Sequence, residues 1–191
     1  MLSQRMQDAL NKQIEHEFYS SFVYLAMSSH LERRNLPGFA KWMRLQAGEE
    51  HAHAMKIFDH ILDRGGAVTV PALAAPPTKF EAPLAVFEQA LHHERAVTKS
   101  IHELYELAVT ERDYPARVFL DWFVNEQVEE EKTAELVVEQ LKMVGDDRPA
   151  LLAHGAGDVS GDEINPGHVE PHDHRRLAGD FDVVRVDIVG A

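Results

Sequence analysis

The chain contains no cysteine. That absence excludes a disulfide scaffold, iron–sulfur clusters, thiolate metal sites and thiol nucleophiles. Basic side chains are scarce: 19 Lys and Arg stand against 32 Asp and Glu, a formal charge of −13. Nucleic acid is thereby disfavoured as a partner, because its binding draws mainly on Lys and Arg at phosphates. The longest apolar run, Phe22 to Met27, is far too short to cross a bilayer, so no membrane partner is expected. The opening Met-Leu-Ser-Gln-Arg shows no secretory pattern, which predicts a cytoplasmic protein. Chain breakers are also thin before Gly145, since seven of the eleven glycines lie at that position or later.

What is present is excess carboxylate, twelve histidines and 191 residues, enough to bury the core of one domain. The few breakers leave four segments, roughly 5–34, 38–64, 83–112 and 115–144, rich in Ala, Leu, Glu, Gln, Lys and Met. These are good helix formers, and Pro37, Pro83 and Pro115 sit at helix starts, where a missing N–H costs little. Apolar residues recur at helical spacing: Met6, Leu10, Ile14 and Phe18; Phe39, Met43, Ala47 and Ile57; Leu84, Phe87, Leu91 and Ile101; Phe119, Phe123, Ala134 and Leu141. The expected fold class is all-α, a four-helix bundle spanning 1–145. Short connections at Asn35–Pro37 and Asp113–Tyr114 make two antiparallel hairpins. The long connection, about Gly65 to Ala82, can run the length of a helix and so predicts one crossover between the second and third helices.

Past Gly145 the texture changes. Asp147-Arg148-Pro149 followed by Ala-Leu-Leu-Ala predicts a short fifth helix over 146–155. Residues 156–191 are expected to form an irregular tail rich in Gly, Pro, Asp and His. Val184, Val186 and Ile188 alternate at period two, a short strand pattern. His168, His172 and His174 are read as a polar loop rather than a second metal site.

The apolar stripes are broken by polar residues midway along every segment. Glu17 follows Ile14 by three, Glu50 follows Met43 by seven, and His53 precedes Ile57 by four. Glu94 follows Leu91 by three, Gln127 follows Phe123 by four, and Glu130 comes three later. Isolated burial of a carboxylate costs many kcal/mol, and several without Lys or Arg would repel one another. Metal cations resolve that conflict, and carboxylates with imidazole suit iron or manganese. The spacing repeats: Glu17 to Glu50 and Glu94 to Gln127 are each 33 residues, with His53 and Glu130 three further on. One metal position would use Glu17, Glu50 and His53, and the other Glu50, Glu94 and Glu130, with Gln127 alongside. A lone Glu-x-x-His is ordinarily a solvated helix face, but four helices in register are read as a site.

With Glu17, Glu49-Glu50-His51-Ala52-His53, Glu94, Asn125-Glu126-Gln127-Val128-Glu129-Glu130 and Asp113-Tyr114-Pro115, the chain resembles a non-haem bacterial ferritin over about residues 1–155. The carboxylate layout is an established pattern of ferritin-like di-iron proteins. The resemblance implies a ferroxidase centre that oxidises Fe²⁺ with O₂ or peroxide, and a hollow shell of twenty-four subunits storing ferric mineral. It implies a first iron site at Glu17, Glu50 and His53 and a second at Glu50, Glu94 and Glu130 beside Gln127. A third iron site is implied at Glu49, Glu126, Glu129 and Glu130, and Tyr24 matches a tyrosine near the centre. Trp122 is read as packing. The Gln127-x-x-Glu130 pair departs from bacterioferritin, and His51-Ala52 stand where an axial methionine is needed, so no haem is expected. Two rival classes stay open: a di-metal oxidase that stores nothing, and a structural bundle whose core carboxylates are incidental.

Overall fold

The computed structural model describes residues 2–145 together with Pro149 and Leu151. It contains α1 (Gln4–Arg33), α2 (Pro37–Asp63), α3 (Pro83–Glu111) and α4 (Tyr114–Val144), each within about one residue of the boundaries expected from the breakers. Local chemistry sets the ends. Ser3 caps α1 by accepting from the Met6 N–H, and Asp113 caps α4 by accepting from the Ala116 N–H. Proline occupies the first turn of α2, α3 and α4. Turns at Asn35 (φ 59°) and Arg112 (φ 54°) close the two hairpins in left-handed backbone.

α1 packs along α2, α3 along α4, and α1 against α3. The connection 64–82 is pinned near its start by amide side chains of early α1. Gln7 Oε1 accepts from the Ala67 N–H at 2.8 Å, and Asn11 brackets the segment by donating to Ala67 O (3.0 Å) and accepting from the Thr69 N–H (2.7 Å). Near its end, Glu81 O lies 3.0 Å from Nε2 of His30, late in α1. Those anchors stand roughly 30 Å apart along one helix, so the segment is the expected crossover. The two residues described beyond Gly145, Pro149 and Leu151, are helical, and Leu151 joins the core. Of the short helix expected over 146–155, only they are described. The tail, His168, His172, His174 and the 184–189 pattern lie outside the described residues. Among the described residues, no helix is long and apolar enough to cross a membrane.

The core falls into two apolar compartments. One holds Tyr24, Met27, Leu31, Met43, Phe87 and Leu141. The other holds Met6, Leu10, Ile14, Ile57, Ile101 and Phe123. Phe18, Leu84 and Phe119, expected on the stripes, are part-buried and pack at the edges. Between the compartments lies a band of buried polar side chains from all four helices.

The turn after α2 is tight. A Cβ on Gly66 would stand 2.9 Å from both Gln7 Oε1 and Ile61 Cγ2, and 3.0 Å from Leu2 Cδ2. Gly66→Ala must therefore displace Gln7 from Ala67 and crowd Ile61. The expected cost is about 1–2 kcal/mol, read as a drop of roughly 2–8 °C in melting temperature. An unchanged melting temperature would show that the crossover anchor adjusts freely.

Candidate metal centre

The polar band is built from side chains on the inward stripe of each helix. Glu17 comes from α1, Glu50 and His53 from α2, Glu94 from α3, and Gln127 and Glu130 from α4, and all six are buried. Helical geometry puts Glu50 and His53 one turn apart on a shared face. Three groups of three bring ligand atoms within 4.8 Å of one another: Glu17, Glu50 and His53; Glu50, Glu94 and Glu130; and His53, Glu126 and Glu130. Glu50 belongs to the first two and bridges them. His53 Nδ1 lies 3.9 Å from a carboxylate oxygen of both Glu50 and Glu130.

Neutral neighbours hold these acids in place. Gln13 donates to Glu17 at 2.9 Å, Gln127 donates to Glu130 at 2.7 Å, and Thr98 donates to Gln127 Oε1 at 3.0 Å. The Tyr24 hydroxyl donates to Glu94. Even so, the band is unsatisfied. Among the described residues, nine buried side-chain N or O atoms have no hydrogen-bond partner, and five are here: Glu17 Oε2, both oxygens of Glu50, His53 Nδ1 and Glu94 Oε2. Buried polar atoms are normally paired, so this concentration marks a place shaped for something with positive charge.

The electrostatics agree. Burial, reinforced by the charges of Glu94, Glu130 and Glu17, pushes the Glu50 carboxyl well above its ordinary range. Burial first and Glu94 next do the same to Glu130, and burial raises Glu17. Glu94 is pushed up to about 7, chiefly by burial. His53 is pushed down to about 4 by burial and by Lys56, so its imidazole is neutral near pH 7 and free to donate a lone pair.

Residues expected at a third iron site separate. Glu49 and Glu126 are half-buried, and Glu49 is pushed up to about 7 by burial and by the charge of Glu126. Glu126 reaches His53 and Glu130, whereas Glu129 is exposed, lies 3.7 Å from Lys132 and joins none of the three groups. Trp122 packs edge-on against the His53 ring at 5.4 Å between centroids. Sequence reasoning did not single out Gln13, Thr98 or Lys56. Gln13 is four residues before Glu17 on the same stripe, a signal that was available. Thr98 and Lys56 carry no comparable mark.

Carboxylates with one imidazole form a hard, oxygen-rich donor set that suits Fe or Mn and offers too little sulfur or nitrogen for softer metals. Residues 7–144 match the family described as Ferritin-like domain. The chain is 44% identical over 146 residues to a bacterial non-heme ferritin of Bacteroides fragilis, covering 76% of this chain and 92% of that one. It is 41% identical over 154 residues to a bacterial non-heme ferritin of Staphylococcus saprophyticus, covering 81% and 92%. Among solved structures, an open pore ferritin from the hyperthermophilic archaeon Archaeoglobus fulgidus superposes with a TM-score of 0.80 at 47% identity, covering 81% of this chain and 96% of that chain.

Proposed function

Starting from the fact that this chain belongs to the ferritin-like family, we propose that it stores and detoxifies iron by oxidising Fe²⁺ within each subunit and depositing ferric mineral in a shell of its own copies. The observation that carries this reading is the cluster of five unpartnered buried ligand atoms in one band between two apolar compartments. Iron is the substrate. Glu17, Glu50 and His53 bind one ferrous ion, and Glu50, Glu94 and Glu130 bind a second, with Gln127 orienting Glu130. Glu50 holds the two ions as neighbours, so each can give one electron to the same O₂ or peroxide. Paired donation reduces O₂ by two electrons without releasing a one-electron oxygen radical. The protein's contribution is to fix the ligands and keep positions open for the oxidant.

Tyr24 holds Glu94 and is assigned a redox role at the centre. Glu126 and Glu49, with Glu129 and Glu130, form the proposed third iron position on the way out of the bundle. The count of twenty-four subunits and a cytoplasmic setting belong to the same proposal, as does the bundle, short-helix and tail division at 145 and 155.

Particle size before and after aerobic iron loading tests storage directly. A large hollow particle that gains an electron-dense core is the expected result. Monomers or dimers that oxidise iron and form no core would leave only a di-metal oxidase.

A further inference from the structure

The buried centre meets solvent at one of its members. Of the six residues in the three ligand groups, only Glu126 is not buried. It lies on α4 beside half-buried Trp122, and across from it on α2 stands Lys56, three residues beyond His53. The Lys56 ammonium is 4.2 Å from the centroid of the Trp122 ring, and the His53 ring packs edge-on against the same indole. A cation over an indole face is held there by the ring quadrupole. Lys56 is thus parked between α2 and α4 without closing an ion pair to Glu126, since no nitrogen–oxygen contact joins them within 4.0 Å. Its charge is nonetheless felt by both neighbours: it lowers His53 and opposes the burial-driven rise of Glu126.

We propose that Lys56 is a positioning residue that weakens cation binding at the outer group of His53, Glu126 and Glu130, so that an ion there moves on instead of lodging. The inference rests on the metal-centre reading above. Like charges repel, and the effect on a divalent ion is doubled. A cation at the inner pair is stabilised by four buried carboxylates, whereas one at the outer group has fewer acids and faces a fixed ammonium. The result is a gradient of affinity falling outward along the α2–α4 seam.

The test uses Zn²⁺, which is redox-inert, titrated calorimetrically into the assembled full chain. Glu126→Gln identifies the binding event that belongs to the outer group. Lys56→Met keeps the apolar stem over Trp122 and removes the charge. It should tighten that event on the order of tenfold at low salt, and by less at high salt, and should tighten the inner events, which share His53 and Glu130, by a smaller factor. Lys56→Arg should behave as the parent. Lys99→Met, which removes an exposed lysine beside Glu103 and outside every ligand group, should also change nothing. The proposal is overturned if Lys56→Met and the parent give the same outer event, or if Glu126→Gln removes no event in either. If Zn²⁺ fails to bind at all, the metal-centre reading falls with it, and that outcome is distinct from the other two.

Discussion

Replacing Glu50 and Glu94 together with alanine should abolish the rapid phase of aerobic Fe²⁺ oxidation. Stopped-flow absorbance of the ferric product should show an initial rate reduced at least about a hundredfold, the upper end of what losing even an outer partner of a metal ligand costs. The expectation follows from position. Glu50 is the only residue shared by the Glu17–His53 and Glu94–Glu130 groups. Without it, two ions cannot be held as neighbours, and oxidation reverts to the slow reaction of separate ions. Alanine also leaves cavities in a packed core, so the isosteric pair Glu50→Gln and Glu94→Gln keeps the result interpretable. It should lose the rapid phase equally while retaining the fold. Unchanged initial rates in both double variants would remove these residues from the oxidation site.

The second large effect is thermodynamic. Adding Zn²⁺, or Fe²⁺ without oxygen, should raise the melting temperature steeply. At a free concentration of about 100 times Kd, each site contributes roughly 2.7 kcal/mol. Two sites then correspond to about 10–20 °C for a chain of this size. The effect should grow with pH. Glu94 and Glu49 are pushed up to about 7, and Glu50 and Glu130 are raised well above the usual carboxylate range. An acid whose folded pKa exceeds its unfolded value holds extra protons in the folded state, so folding loses stability as pH rises through that interval. His53 and His93, both pushed down to about 4, act oppositely, but only up to about pH 6.5. From there to pH 8 the carboxylates alone should govern. The melting temperature of the metal-free protein should fall across that window while the Zn²⁺-loaded protein holds steady. A metal-insensitive melting curve would favour a bundle whose core acids are incidental.

Metal binding and stability are two sides of one arrangement. Four carboxylates and a histidine between apolar compartments are a liability until a cation arrives. Their raised protonation is how the metal-free protein would tolerate them, and displacement of those protons is what a bound cation must achieve. The same residues that weaken the free protein therefore give the centre its affinity.

Much of this was legible in one dimension because helices convert sequence spacing into direction. Glycine and proline marked the helix limits, and a period of 3.6 placed Glu17, Glu50, His53, Glu94, Gln127 and Glu130 on the inward stripes where they are found. The length of 64–82 set the crossover, since only a chain of that reach joins opposite ends of two hairpins. Glu129 shows where spacing stops being enough. It follows Glu126 by three and Glu130 follows by four, and both look equivalent on a stretch of consecutive acids. At 100° per residue, however, they lie on opposite sides of Glu126, and α4 turns Glu130 into the core and Glu129 out to Lys132.

The sequence by itself thus determined the helices, their pairing and the set of inward ligand-type side chains, because each of those depends on local periodicity and chain length. Only the tertiary structure decided which of them converge, which atoms are left unpartnered, and what surrounds them. Thr98 beneath Gln127, Tyr24 against Glu94 and Lys56 over Trp122 join residues 29, 70 and 66 positions apart. Such contacts are fixed by how α1 to α4 rotate and stagger against one another, and no periodicity along a single helix encodes that.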